Sequence, residues 1–391
     1  MKANLVAIKD CVVKAKTWNP VVEAKDETIT YIDIAAVDKD LKKIVEPTLC
    51  LGAEAPSRAR QLVQTNDVLV STVRPNLNSV AVVTEEFSGA TASTGYTVLR
   101  PLPEVLDTQY LFHWVKTDHF INEMIKLATG QSYPAISDKI ILNSKIPLPP
   151  LAEQHRLASI LDQADVLRQK RQQAIEKLDQ LLQATFIDMF GDPVSNPRGW
   201  NNCKFENVIE FVTYGLTVRP EYHEQGIPLI SAREIRTGEL NYDSSPKISK
   251  VDFEILSEKA KPKQNDILFS KTGSIGHCAI VKDQRDFAVT QNAARVVPRI
   301  DVCNPIFLLY FMRTKYFYNL ANKEAKGNAV KDLQLGIMKS FPVYLPPMEL
   351  QDKWAIIAES IEKQKNMLET SNAEVYNLFK SLQNQAFSGT L

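Results

Sequence analysis

Leu148-Pro149-Pro150-Leu151-Ala152-Glu153-Gln154 opens the stretch on which the architecture turns. Two prolines cannot continue a helix arriving from upstream, but they suit the approach to a new one and its first turn. Behind them a helical periodicity runs on to Phe190-Gly191-Asp192-Pro193, where glycine and proline end it. Ile160, Ala164, Leu167, Arg171, Ala174, Leu178, Leu181 and Thr185 follow alternating spacings of 4 and 3, the seam of a heptad repeat. Leu157, Leu161, Ile175, Leu182 and Phe186 widen that seam. A lone helix would leave it in water, so a partner helix is expected. Arg171, inside the seam, either sets register across the pair or snorkels out to solvent.

The chain carries the partner itself. Leu345-Pro346-Pro347-Met348-Glu349-Leu350-Gln351 begins 197 residues later and leads into Ile357, Ile361, Gln364, Leu368, Ser371, Val375, Leu378 and Leu382, again on 4-3 spacing. The repeat extends upstream. Leu111–Phe120 (LFHWVKTDHF) matches Leu308–Phe317 (LLYFMRTKYF) at an offset of 197, as do Gly130 with Gly327 and Gln154 with Gln351. Asn66–Ser71 matches Asn265–Ser270 at 199. Val82-Val83 against Ala279-Ile280 then returns the offset to 197, which would make the intervening loop two residues shorter in the second copy. That loop is where the copies differ most: Thr72-Val73-Arg74-Pro75-Asn76 faces Lys271-Thr272-Gly273-Ser274.

The expected fold is therefore mixed α/β (α+β): globule 1–147, helical region 148–190, a similar globule 191–345 and a helical region 346–391. The two helices are expected to pair as an antiparallel coiled coil about a pseudo-twofold axis, with the globules at opposite ends of a rod. Within the first globule Ile29–Ile34, Asp67–Ser71 and Val80–Val83 read as strands, and Tyr110 to about Leu127 as one amphipathic helix.

Composition excludes more than it identifies. The chain has 391 residues, with 46 Lys+Arg balancing 46 Asp+Glu, so no global basic charge favours nucleic acid. Counted by segment, the second globule holds 21 basic against 17 acidic residues and the other segments are near neutral or mildly acidic, so any such binding must be local. Five scattered cysteines offer neither a zinc motif nor an even-numbered disulfide framework. Met1-Lys2-Ala3-Asn4-Leu5 has no signal-peptide core and no apolar run is long enough to span a bilayer, so a soluble cytoplasmic protein without membrane contact is expected.

No catalytic motif emerges. A phosphate-binding GxxxxGK[ST] loop is missing. Asn304-Pro305-Ile306-Phe307 lacks the second proline of the amino-methyltransferase motif and reads as a turn before a helix. Gly273-Ser274-Ile275-Gly276 is not followed by a helical pattern. The five histidines do not cluster, and His113 and His119 read as packing residues of an apolar helix. No catalytic residue and no metal site are expected.

The twice-used PLPP opening, the helices behind it, the FGDP…NPRGW junction (Phe190–Trp200), Pro56–Asn76 and Ile227–Ile235 together resemble the specificity subunit of Type I restriction–modification systems, over essentially the whole chain. The second opening departs from the pattern, because Met348-Glu349-Leu350-Gln351 lacks the acidic-Gln pair of Glu153-Gln154. The resemblance implies a noncatalytic DNA-recognition subunit. Two target-recognition domains would each read half of an asymmetric, interrupted site on double-stranded DNA. The helices would separate them and seat two modification (methyltransferase) subunits, joined by restriction/translocase subunits. S-adenosylmethionine, ATP and Mg would belong to those partners, and this chain would bind no cofactor.

Loop side chains able to reach phosphates or base edges are the candidate contacts, Arg and Lys for phosphate or guanine and Asn and Gln for adenine. In the first domain these are Arg58, Arg60, Arg74, Asn76, Gln131 and Ser132; in the second, Lys271, Thr272, Ser274, Asn328 and Lys331. Tyr133 and Tyr214 could touch a thymine methyl or a sugar, but read first as core or turn packing. The competing readings are a duplicated, noncatalytic scaffold gathering protein partners through its helices, and a self-contained enzyme, which the missing motifs disfavour.

Overall fold

The computed structural model describes residues 4–218 and 220–391, so Met1, Lys2 and Ala3 of the N-terminal reading lie outside the described residues. The chain divides into two units, Met1–Gln172 with Thr370–Leu391, and Gln173–Glu369. Each unit holds one mixed α/β globule and one half of each long helix.

In the first unit Val68–Ser71 lies between Tyr96–Pro101 and Val80–Val82, and Val12–Lys14 completes an antiparallel sheet. A second sheet runs Thr48–Leu51, Thr28–Ile32, Thr91–Ser93, Ala59–Leu62. Val68–Ser71 is buried on both faces, as its unbroken apolar run requires. The second unit repeats the central ladder: Ile267–Ser270 lies between Ala293–Pro298 and Cys278–Ile280, with Ile209–Tyr214 at the edge.

Register corrects one alignment. Val68 pairs with Val82, and Ile267 pairs with Ile280, so Val82 corresponds to Ile280 at an offset of 198. The loop after the central strand is thus one residue shorter in the second unit, and the other deletion falls later. Short β-branched and small residues match equally well in either frame, and only ladder hydrogen bonds separate them.

The helix expected from Tyr110 to Leu127 is two, Thr108–Val115 and Asp118–Leu127. Thr117 makes the break, its hydroxyl donating to Trp114 O at 2.7 Å and accepting from Phe120 N at 3.1 Å. Thr314 does the same between Pro305–Met312 and Lys315–Glu324.

The long helices are Leu151–Phe190 and Met348–Ser388. They run antiparallel within each unit: Arg156 bonds Leu391 O and Arg171 bonds Ser371 in the first, while Asp179 pairs with Lys365 and Phe186 packs on Trp354 in the second. Arg171 therefore makes the cross-helix contact of the register reading. The expected seam is displaced by about one position. Leu167 and Leu181 are 49% and 47% exposed and Gln364 and Leu378 are also exposed, whereas Leu157, Leu161, Ile175, Leu182, Phe186 and Phe379 are buried. Adjacent stripes share the 4-3 spacing, and the globule that each helix end covers selects between them. Leu157 and Leu161 join the core holding Tyr110 and Trp114.

The proline opening is explained by its glutamine. Buried Gln154 accepts from the Asp107 N–H at 2.9 Å and donates to Val105 O at 3.0 Å and Pro149 O at 2.9 Å. Gln351 accepts from Asn304 N at 2.8 Å and donates to Pro346 O at 2.8 Å. One side chain thus ties each long helix to the loop that starts a globule helix. Glu153 is half-buried and its carboxylate pairs with Arg156 one turn along the same helix at 2.7 Å, so the variable position is not the anchor. Gln154→Ala leaves several buried polar groups unmatched and is expected to lower unfolding stability by about 2 kcal/mol. Urea denaturation would measure this, and a loss under about 0.5 kcal/mol would mean that water replaces the bonds.

The far end is closed by the FGDP…NPRGW junction. Gly191 takes φ +82°, and a Cβ there would lie 2.7 Å from the Pro197 ring. Trp200 Nε1 donates to Phe190 O at 2.8 Å and Arg198 to Asp188 O at 2.8 Å, capping the last carbonyls of the helix.

Candidate nucleic-acid interface

In both units the loop after the central strand is laced to the loop after the second globule helix. Arg74 N–H donates to Pro134 O at 2.7 Å and Ile136 N–H to Thr72 O at 2.9 Å. Gly273 N–H donates to Lys331 O at 2.8 Å and Leu333 N–H to Lys271 O at 2.8 Å. Bridges Val73↔Ala135 and Thr272↔Asp332 correspond, as do Thr129↔Ala135 and Lys326↔Asp332. Gly130 and Gly327, at φ +98° and +122°, allow the tight return; a Cβ on either would strike the carbonyl oxygen of Tyr133 or Val330 at 2.9 or 2.2 Å. The repeated backbone therefore makes one two-loop platform per unit.

The side chains on those platforms differ. In the first unit Arg74, Asn76, Gln131 and Ser132 are exposed on the two laced loops. Tyr133, expected in core or turn packing, is 69% exposed on the turn, and the Arg74 guanidinium lies 4.8 Å from its ring centroid. Arg58, exposed, sits at the margin: its carbonyl accepts from Thr94 N–H at 2.8 Å, and the neighbouring Gly95 O accepts from Thr72 N–H at 2.9 Å. Arg60 is half-buried, and its guanidinium donates to its neighbour's carbonyl, Ala59 O, at 2.7 Å.

In the second unit Ser274, Asn328 and Lys331 are exposed, and Val330 stands where the first unit has Tyr133. Lys271 and Thr272 are committed within the unit. The Lys271 ammonium is buried against Asp332 at 2.5 Å, and the Thr272 hydroxyl donates to the same carboxylate at 2.5 Å. Lys271 and Thr272, expected as contacts, therefore hold the platform shut. Tyr214 is 48% exposed, with Lys271 Nζ 5.8 Å from its ring. Ser274 is braced by His277 at 3.3 Å, whose pKa burial pushes down, with Arg236 adding to the shift.

Residues the motif search passed over anchor the first platform from beneath. Asn78, in a left-handed conformation at φ +46°, donates to Val115 O at 2.9 Å and accepts from Lys42 Nζ on its side-chain oxygen at 3.0 Å. Burial, with Lys116, Arg168 and Lys380 nearby, pushes the Lys42 ammonium down to about 8. Next to Val115, Lys116 is buried against Asp165 at 3.0 Å, and Arg168 closes on the same carboxylate at 2.9 Å. At offset 197 this pair recurs as Arg313 and Glu362, 3.7 Å apart. Comparing helix polarity between the repeats would have signalled it.

His113 is buried, with Nε2 2.7 Å from Asp162 and Nδ1 without a partner among the described residues. Burial pushes its pKa down, which suits a neutral imidazole donating through Nε2. No group of three or more His, Cys, Asp or Glu side chains that could hold a metal occurs among the described residues, and none of the described helices is long and apolar enough to cross a membrane.

A family model, the Type I restriction modification DNA specificity domain, matches the chain twice, over residues 56–177 and 197–377. The chain belongs to that family. The two matches fall on the two copies of the repeat, each including a two-loop platform. Among curated members, the chain is 27% identical over 289 residues to the Type I restriction enzyme EcoBI specificity subunit of Escherichia coli, a match covering 66% of this chain and 60% of that subunit. The MjaVIII specificity subunit of Methanocaldococcus jannaschii is 23% identical over 300 residues, 70% of either chain. The fold is shared with a chain from a structure describing complex assembly and conformational transition of the type I R-M system (TM-score 0.60, 23% identity, 99% of this chain and 98% of that one). It is shared too with the Type-I restriction-modification system S subunit from M. genitalium (TM-score 0.57, 13% identity, 98% and 96%).

Proposed function

We propose that this chain is the noncatalytic DNA sequence-recognition subunit of a Type I restriction–modification enzyme. The observation that carries the reading is the pair of platforms, identical in backbone lacing and different in exposed chemistry, within a chain that the specificity-domain family matches twice. Divergent side chains on a repeated scaffold suit two reading heads, whereas a pure scaffold has no use for the divergence. Residues 1–147 and 191–345 would be the target-recognition domains, each reading half of an asymmetric two-part site, and 148–190 with 346–391 the spacer. Arg58, Arg60, Arg74, Asn76, Gln131, Ser132, Ser274, Asn328 and Lys331 are the proposed contacts, with Lys271 and Thr272 shaping the second platform. The chain would act in the cytoplasm. Two modification subunits seated on the helices would supply S-adenosylmethionine-dependent adenine methylation, and restriction/translocase subunits would supply ATP- and Mg-dependent cleavage.

Copurification with the modification subunit, followed by mapping of methylated adenines, tests this. A two-part sequence with an unread spacer is expected; methylation without sequence preference would sink the reading. Matched seven-residue insertions after Gln172 and Glu369 keep the helices paired and add about 10 Å, so the spacer should grow by roughly three base pairs while both half-sites stay the same.

A further inference from the structure

Arg74 stands apart from the other exposed platform residues in two independent respects. Its backbone is left-handed, at φ +50° and ψ +62°, where the second unit has Gly273 at φ +80°. A side chain there costs about 1 kcal/mol that glycine avoids, and the loop closes equally well with glycine, as the second unit demonstrates. The guanidinium is also held without being used. It lies over the exposed Tyr133 ring at 4.8 Å, and it has no hydrogen-bond acceptor or carboxylate among the described residues. This cation–π contact restrains the fork and leaves its donors open. The Pro134 carbonyl grips the backbone of the same residue at 2.7 Å, and Pro75 follows directly.

A planar, pre-oriented, unpaired guanidinium is the group that matches the two acceptors, O6 and N7, on the major-groove edge of guanine. A phosphate contact asks only for charge and tolerates a mobile side chain. The second platform carries glycine in place of the arginine and valine in place of the tyrosine, so this means of reading is confined to the first domain.

We propose that Arg74, stacked on Tyr133, is a specificity-determining residue that reads one guanine in the half-site of the first domain. The inference rests on the proposed DNA-recognition role. Arg74→Gly removes the strain together with the fork, so folding should not suffer, and Arg74→Lys keeps the charge but not the plane. Complexes of the wild type and both variants with the modification subunit would be compared by methylation-site mapping and by DNA binding against salt. For Arg74→Gly, discrimination at a single G·C position of the first half-site should fall roughly ten- to a hundredfold, with the second half-site unchanged. Arg74→Lys should relax the same position. Uniformly weaker binding, with the salt slope reduced by about one and the sequence preference intact, would make Arg74 a phosphate contact and overturn the proposal. So would relaxation at an A·T position. A wild-type complex that lacks any two-part preference would instead overturn the recognition role itself.

Discussion

Asp165→Leu is expected to destabilise the first unit by about 3–5 kcal/mol, because it strands the Lys116 ammonium in the core. The Lys116 and Asp165 side chains are 8% and 12% exposed, and their 3.0 Å contact joins a globule helix to the first long helix. Burial pushes the Lys116 pKa down, and Asp165 is its closest compensation. Burial would raise the Asp165 pKa, but Lys116 and Arg168 outweigh that and hold it below the usual carboxylate range. The double variant Lys116→Met with Asp165→Leu replaces both charges with apolar volume and should recover most of the loss. Denaturant unfolding of the four proteins gives the coupling directly; a double-variant loss equal to the sum of the two single losses would show that the pair is not coupled. The effect should also reach recognition. Lys116 directly follows Val115, whose carbonyl anchors Asn78 at the base of the first platform. Asp165→Leu should therefore weaken first-half-site discrimination more than second-half-site discrimination.

Trp354→Ala is expected to cost the second unit about 3–5 kcal/mol. Trp354 is fully buried, edge-on to Tyr310 at 4.9 Å and to Phe186 at 5.3 Å, so it joins both long helices to a globule helix. Its indole N–H has no partner among the described residues, so Trp354→Phe loses volume but also removes an unsatisfied donor. The phenylalanine variant should lose less than half as much as alanine. At offset 197 its counterpart is Leu157, buried against the first core. Leu157→Ala, at about 2–5 kcal/mol, should act on the first unit instead. Calorimetry of the two alanine variants would distinguish them, and identical thermograms would refute the assignment of each residue to its own core.

The platforms show where sequence reading reaches its limit. Arg74, Gln131 and Ser132 are recognisable as polar residues in proline- and glycine-marked loops, yet the stack of Arg74 on Tyr133 joins positions nearly sixty residues apart. Lys271 and Lys331 look alike in sequence, but Asp332 neutralises the first and leaves the second open. Tyr133 looks like a core residue by composition, and its exposure follows from the Gly130 turn that lifts it out.

Periodicity, proline and glycine act over a few residues, so the repeat, the starts of both long helices and the stop of the first were legible from the amino-acid order. Thr117, Gln154 and Trp200 have local signatures too, once their hydrogen bonds are known. The face that each long helix buries, the ladder frame that places Val82 opposite Val68, and the cations that remain unpaired were settled only in three dimensions. Each depends on a contact between distant segments, and neighbouring frames, stripes or lysines satisfy the same local spacing until packing and desolvation separate them.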